Sequence, residues 1–234
     1  MLADAYLRSG KVRDLYELSD GRLLPGFGVG PDIAPEWKAM GRSAAGRGAQ
    51  ADEALEIMSR LWSEERVTFT GKHYRYTDAR ISPRPVQRPL PLWIGGSSPA
   101  SIRRTARVGT GWLGGIETPA QVAPVIAAIR DAAVAAGRPI DPDHFGASFA
   151  FRFGEWQEPI VQGAATLLAR LGRFPDPRAY LAVGDAKAIL ARLAEYTEAG
   201  ASKFVLRPVA VGDDDWMAQT ERLIAEVLPA VHRR

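Results

Sequence analysis

Short apolar runs that stop on glycines and hand over to amphipathic segments recur along this chain, and that alternation restricts the folds open to it. The runs are RLLPGFGVG (22–30), PLWI (91–94), GWLGG (111–115), HFGASFAFRFG (144–154) and KFVLRPV (203–209). Between them lie segments with apolar residues at helical spacing, at 47–62, 99–108, 118–136 and 185–199, and a last one closes the chain at 213–231. Parallel neighbours need long crossover connections, which helices supply, so this rhythm predicts an α/β fold with a parallel sheet of about five core strands. No strict repeat or low-complexity linker interrupts it, and 1–234 is taken as one domain.

Local chemistry sets the expected boundaries. Residues 2–18 have helical spacing and end on Ser19, Asp20 and Gly21. VTFT and HYRY, joined by Gly71 and Lys72, alternate as a half-buried hairpin does. The prolines of ISPRPVQRPLP fix φ and remove donors, which predicts an extended connector. Thr118 and Pro119 start a helix that Gly137 stops, with Pro124 expected to delay its true start. Residues 155–180 carry little signal. Asp185 caps the next helix and Gly200 ends it; the closing helix has Asp213, Asp214 and Asp215 at its positive end. Its stripe of Trp216, Thr220, Leu223, Ile224, Val227 and Val231 is expected to pack inward.

Composition removes several functions. The absence of cysteine excludes thiolate metal sites, iron–sulfur clusters, disulfides and cysteine nucleophiles. His73, His144 and His232 are too scattered for a zinc site, so no metal is expected. The 30 Lys and Arg alternate with 27 Asp and Glu, with no basic stripe among aromatics, which argues against nucleic acid. With no signal-peptide core and no apolar window of ~18 residues, neither secretion nor a membrane is expected, and the cytoplasm is the default compartment.

The sharpest local feature is PLWIGGSSPASIRRTARVGTGW, residues 91–112. Gly95 and Gly96 lack the Cβ atoms that keep a ligand from the backbone. Ser97 or Ser98 is placed to cap a helix that Pro99 begins. Such a helix start offers unpaired N–H groups to an anion, so the corner is a candidate phosphate seat. The same pattern also makes a plain βα corner, and the residues alone leave both readings open. Arg103, Arg104 and Arg107 are expected on the solvated face. Gly26, Gly28 and Gly30 either let a flat ring lie on the backbone or serve a turn. His73 is expected at the surface, His144 in a turn with Asp141 and Asp143, and Glu36 and Trp37 either over a pocket or at a helix start. No Ser-His-Asp arrangement or carboxylate pair stands out.

In the order GRLLPGFGVG, RGAQADEALEIMSRLW, VTFTGKHYRYTDARISPRPVQRPLPLWIGGSSPASIRRTARVGTGWL, AGASKFVLRP and EVLPAV, these segments resemble the luciferase-like monooxygenase family, and in particular its deazaflavin (coenzyme F420)-dependent branch. The resemblance implies a (β/α)8 TIM-barrel fold with its site at the C-terminal strand ends. It implies coenzyme F420, with FMN as the alternative. The phosphate would lie at Gly95, Gly96, Ser97 and Ser98, and the ring beside Gly28, Val29 and Gly30. Hydride transfer to or from a small organic substrate follows as the expected reaction, and an FMN-dependent monooxygenase is the sister reading.

GRLLPGFGVG resembles the family's fourth strand, so the expectation is an incomplete barrel with an inserted hairpin. The family's early-strand residues have no counterpart, and no catalytic acid or base is named. Open strand edges would favour association, for which a homodimer is expected. A non-catalytic partial barrel acting as a binding or oligomerisation module is the reading from a different class.

Overall fold

The computed structural model describes residues 22–30, 34–85, 87, 89–170, 174 and 176–231. The expected helix at 2–18 and His232 lie outside the described residues. The chain forms two compact units, one of residues up to Trp112 with Ile129–Ile140, the other of Leu113–Ala128 with Asp141 onward.

In the first unit, strand β1 (Gly26–Phe27) is followed by helices α1 (Ala34–Ala39) and α2 (Arg47–Ser63), the hairpin β2 (Val67–Thr70) and β3 (Arg75–Ala79), strand β4 (Trp93–Gly95) and helix α3 (Pro99–Val108). β1 pairs in parallel with β4, Gly26 opposite Trp93 and Phe27 opposite Ile94. β1 is shorter than the apolar run because Pro25 has no N–H to continue a ladder. Its carbonyl still accepts from Trp93 N at 3.0 Å. α2 buries Ala54, Leu55, Met58 and Trp62 against Leu90, Leu92 and Ile94. Ile57 and Leu61 pack on Val67 of the hairpin. One amphipathic helix therefore holds both the parallel pair and the inserted hairpin.

Strand β5 (Gly111–Ile116) leads into the second unit, and helix α4 (Pro119–Ala135) begins there. α4 runs through Pro124 rather than starting after it. The Thr118 hydroxyl and the Gln121 side chain each accept the other residue's main-chain N–H, at 3.3 and 2.9 Å. Val122, Ile126, Ile129 and Ala133 are fully buried, and that packing outweighs the one bond the proline deletes.

β6 (Phe145–Phe153) pairs in parallel with both β7 (Leu181–Gly184) and β8 (Lys203–Pro208). β7 joins the five expected strands; its LAVG is four small or apolar residues with no alternation to read. Helix α5 (Pro159–Arg170) precedes it. Helix α6 (Ala186–Glu198) follows β7, with the Asp185 carboxylate accepting from Ala188 N at 3.0 Å, and Gly200 turns out of it at φ 98°.

The closing helix α7 (Gly212–Arg222) continues through one π turn, Leu223–Val227. Its expected inward stripe is corrected: Val227 is buried, whereas Trp216, Ile224 and Val231 are exposed. Gln219 faces inward instead. Its amide accepts from Phe153 N at 2.7 Å and donates to Phe153 O at 3.2 Å, closing the end of β6. A paired polar side chain has set the rotation of this helix.

Candidate functional site: the corner between β4 and α3

The corner takes the form its residues dictate. Ser98 is the cap: its Oγ accepts from Ser101 N at 3.2 Å and lies 3.1 Å from Ser101 Oγ, and Pro99 opens the helix. Gly96 has φ 96°, and a Cβ there would stand 2.9 Å from Ser101 Oγ, so the position is closed to other residues on two counts. The Gly96 carbonyl accepts from Trp112 Nε1 at 2.9 Å, which fixes the turn. Of the first helical amides, Pro99 has no N–H and that of Ser101 is taken by the cap. The N–H of Ala100 meets no acceptor among the described residues.

The arginines divide. Arg103 and Arg107 are exposed, as expected, but Arg104 is only 5% exposed. It turns inward because α2 offers acceptors there. Its Nε donates to Asp52 Oδ1 at 2.7 Å and a terminal nitrogen to Gly48 O at 3.1 Å. Arg107 also reaches Asp52, at 3.1 Å. Two guanidinium groups, from the middle and the last turn of α3, thus share one carboxylate.

Beside the corner is a cleft of about 30 Å³, lined by Phe27, Gly28 and Val29 after β1, by Ile94 and Gly95 of β4, and by Leu55, Met58 and Arg104. That space is of the order of one water molecule's share of liquid volume. The cleft has an open side. Gly28 provides that side, since a Cβ built there meets nothing within 4 Å.

Of the seven residues named from the sequence, Gly28, Val29 and Gly95 line one cleft, while Gly96, Ser97 and Ser98 form the turn that leaves it. Gly30, at φ 73°, faces elsewhere: a Cβ there would be 3.7 Å from the Trp37 ring. His144 sits in the turn Pro142–His144, where Asp141 accepts from Asp143 N, and Asp143 pairs with Lys203. Among the described residues there is no His, Asp and Glu group fit for a metal ion, and no helix is long and apolar enough to cross a membrane.

A parallel βα corner of this kind, with its helix-start amide, is common to many folds; comparison with known proteins narrows it. A model of the luciferase-like monooxygenase family matches residues 11–220. The chain belongs to this family. The F420-dependent glucose-6-phosphate dehydrogenase of Intrasporangium calvum is 36% identical over 107 residues, covering 41% of this chain and 30% of that protein. The chain spans about a third of the length of the curated relatives it matches.

Among solved structures, the monooxygenase RslO1 of Streptomyces bottropensis superposes with a TM-score of 0.78 at 26% identity, over 94% of this chain and 72% of that one. An F420-dependent secondary alcohol dehydrogenase, in complex with an F420–acetone adduct, gives 0.74 at 20% identity, over 93% and 72%. That likeness concerns the fold. The fold is the luciferase-like TIM-barrel type, with six of its strands among the described residues.

Proposed function

We propose that this chain is an F420-dependent oxidoreductase transferring hydride to or from a small organic substrate. The observation that carries the reading is the juxtaposition of a backbone face open at Gly28 with a serine-capped helix start at the neighbouring strand end. One suits a flat ring, the other the anionic tail joined to it.

Gly28 and Val29 would receive the ring on main chain, which no Cβ of residue 28 obstructs. Gly95, Gly96, Ser97 and Ser98 would hold the phosphate, with the Ala100 amide at the helix start favouring an anion. Phe27, Ile94, Leu55 and Met58 would keep water from the inner side. When bound, a deazaflavin supplies a ring carbon that takes or gives hydride; the chain binds, orients and shields it. Gly30 would act through the position of Trp37 rather than by touching the ring.

The second reading, an FMN-dependent monooxygenase, is favoured by the 26% identity with RslO1 over most of this chain. Titrating the full chain with each coenzyme separates the two, F420 being expected to bind the more tightly. Tighter FMN binding would favour the sister reading, and indifference to both would overturn both. A homodimer belongs to the same proposal: sedimentation equilibrium should give about twice the 25.4 kDa of one chain, and a single-chain mass would overturn it.

A further inference from the structure

The first unit holds a second and larger cavity, of about 530 Å³, between α1 with the turn after it and the tip of the hairpin. Its walls include Trp37, Tyr74 and Tyr76; its polar groups include Arg42, Gln50 and His73. The volume falls in the range of small-molecule pockets, roughly 300–1,000 Å³. It lies apart from the cleft beside Gly28, because Gln50 lines this cavity while Ala51 and Ala54 line the other, on two faces of the start of α2.

Two polar side chains of this lining differ in what they offer a ligand. His73 was expected at the surface, yet its Nε2 is shielded from solvent and has no hydrogen-bond partner. A nitrogen that water does not reach is closed to a ligand as well, so His73 offers the cavity the rest of its ring. The Arg42 guanidinium makes no hydrogen bond or ion pair with any described residue; only its main-chain N is held, by Trp37 O at 2.9 Å.

The hairpin tip is held firmly in place. The Glu53 carboxylate accepts from the main-chain N–H of Lys72, His73 and Tyr74 at 2.8, 2.9 and 3.0 Å. A Cβ at Gly71 would come within 2.4 Å of that carboxylate, so glycine permits the approach. His73 is thus set on a fixed turn.

We propose that this cavity binds a small aromatic carboxylate. The three aromatic walls suit a flat ring, and the uncommitted Arg42 guanidinium matches one negative charge. The Gln50 amide can donate to a remaining carboxylate lone pair. A phosphate dianion would leave charge unmatched. The proposal stands independently of the coenzyme reading.

The test is a titration of the full chain, carrying [13C-ε1]histidine, with 4-hydroxybenzoate, read from the His73 resonance and assigned by its loss in His73→Gln. A saturable shift of His73 with His144 unmoved is expected. Arg42→Ala should raise the dissociation constant by about tenfold or more, the value of one lost charge-assisted hydrogen bond. Cyclohexanecarboxylate, of like charge but without an aromatic face, should bind more weakly. An unmoved His73 at about 10 mM ligand, or equal affinities in wild type and Arg42→Ala, overturns the proposal. Arg42 is exposed, so its variant should fold, and an unchanged His144 signal verifies that. Failure of F420 to bind would leave this outcome unaffected.

Discussion

Asp52→Asn tests how the corner is braced. Arg104 is 5% exposed and depends on Asp52 for its counter-charge, with Gly48 O as its other recorded partner. Removing one partner of a fully buried ion pair costs about 3–5 kcal/mol, because the other charge is left uncompensated. Here the Asp52 side chain is 38% exposed, so water screens the pair, and Arg104 keeps its bond to Gly48. The expected loss is therefore reduced to about 2 kcal/mol.

In urea, a slope of about 2–3 kcal/mol/M places the midpoint roughly 0.7–1 M lower than wild type. Arg107→Ala, at a side chain 51% exposed, should stay within about 0.5 kcal/mol. The double variant Asp52→Ala with Arg104→Met removes both charges and should be more stable than Asp52→Ala alone. If Asp52→Asn loses no more than Arg107→Ala, or if the double variant is the least stable, the uncompensated-charge argument is wrong.

Gly96→Ala should cost about 1–2 kcal/mol from the left-handed backbone alone, with Ser101 displaced as well, measurable as a lowered denaturation midpoint. The Tyr196 phenol, buried in the second unit and donating to Glu117 O at 2.5 Å, has its pKa pushed up to about 12 by burial. The unfolded phenol ionises near 10, so its contribution is complete below about pH 10 and disappears as pH rises towards 12. Absorbance at the tyrosinate band should show a late-titrating component that Tyr196→Phe removes. Arg152 joins Glu158 at 2.8 Å and Asp215 at 2.5 Å. The Glu155 amide holds the Glu158 carboxyl below its usual range, the Val211 amide does the same for Asp215, and Arg152 adds to both. Their contribution should be present above about pH 4 and lost as pH falls further, and Arg152→Met should shrink that acid-side loss in chemical unfolding followed against pH.

Legibility in the sequence followed the local strength of each signal. Ser98 with Pro99, Asp185, Gly137 and Gly200 act through their own backbone neighbours, and all end or begin helices where their chemistry indicated. Arg104, Gln219 and His73 take their places from partners distant in sequence: Asp52, Phe153, and the turn that Glu53 secures. No spacing rule encodes those meetings, so a helical face assigned by periodicity put Arg104 in solvent and Trp216 inside. β7 was silent because four small or apolar residues carry no period, although its partner β6 was plain. Within the candidate site, the glycines and serines were legible as a set, whereas Gly30's turn towards Trp37 was not.

Gly28→Val, in a titration with F420 followed by the coenzyme's own fluorescence, tests the central claim most directly. A Cβ at residue 28 meets no protein atom within 4 Å and the backbone there has no left-handed φ, so the variant should fold with near wild-type stability. It should lose coenzyme affinity by about tenfold or more, as bulk placed in a ring's path does. Undiminished binding by a stable Gly28→Val protein would contradict the placement of the coenzyme at this corner.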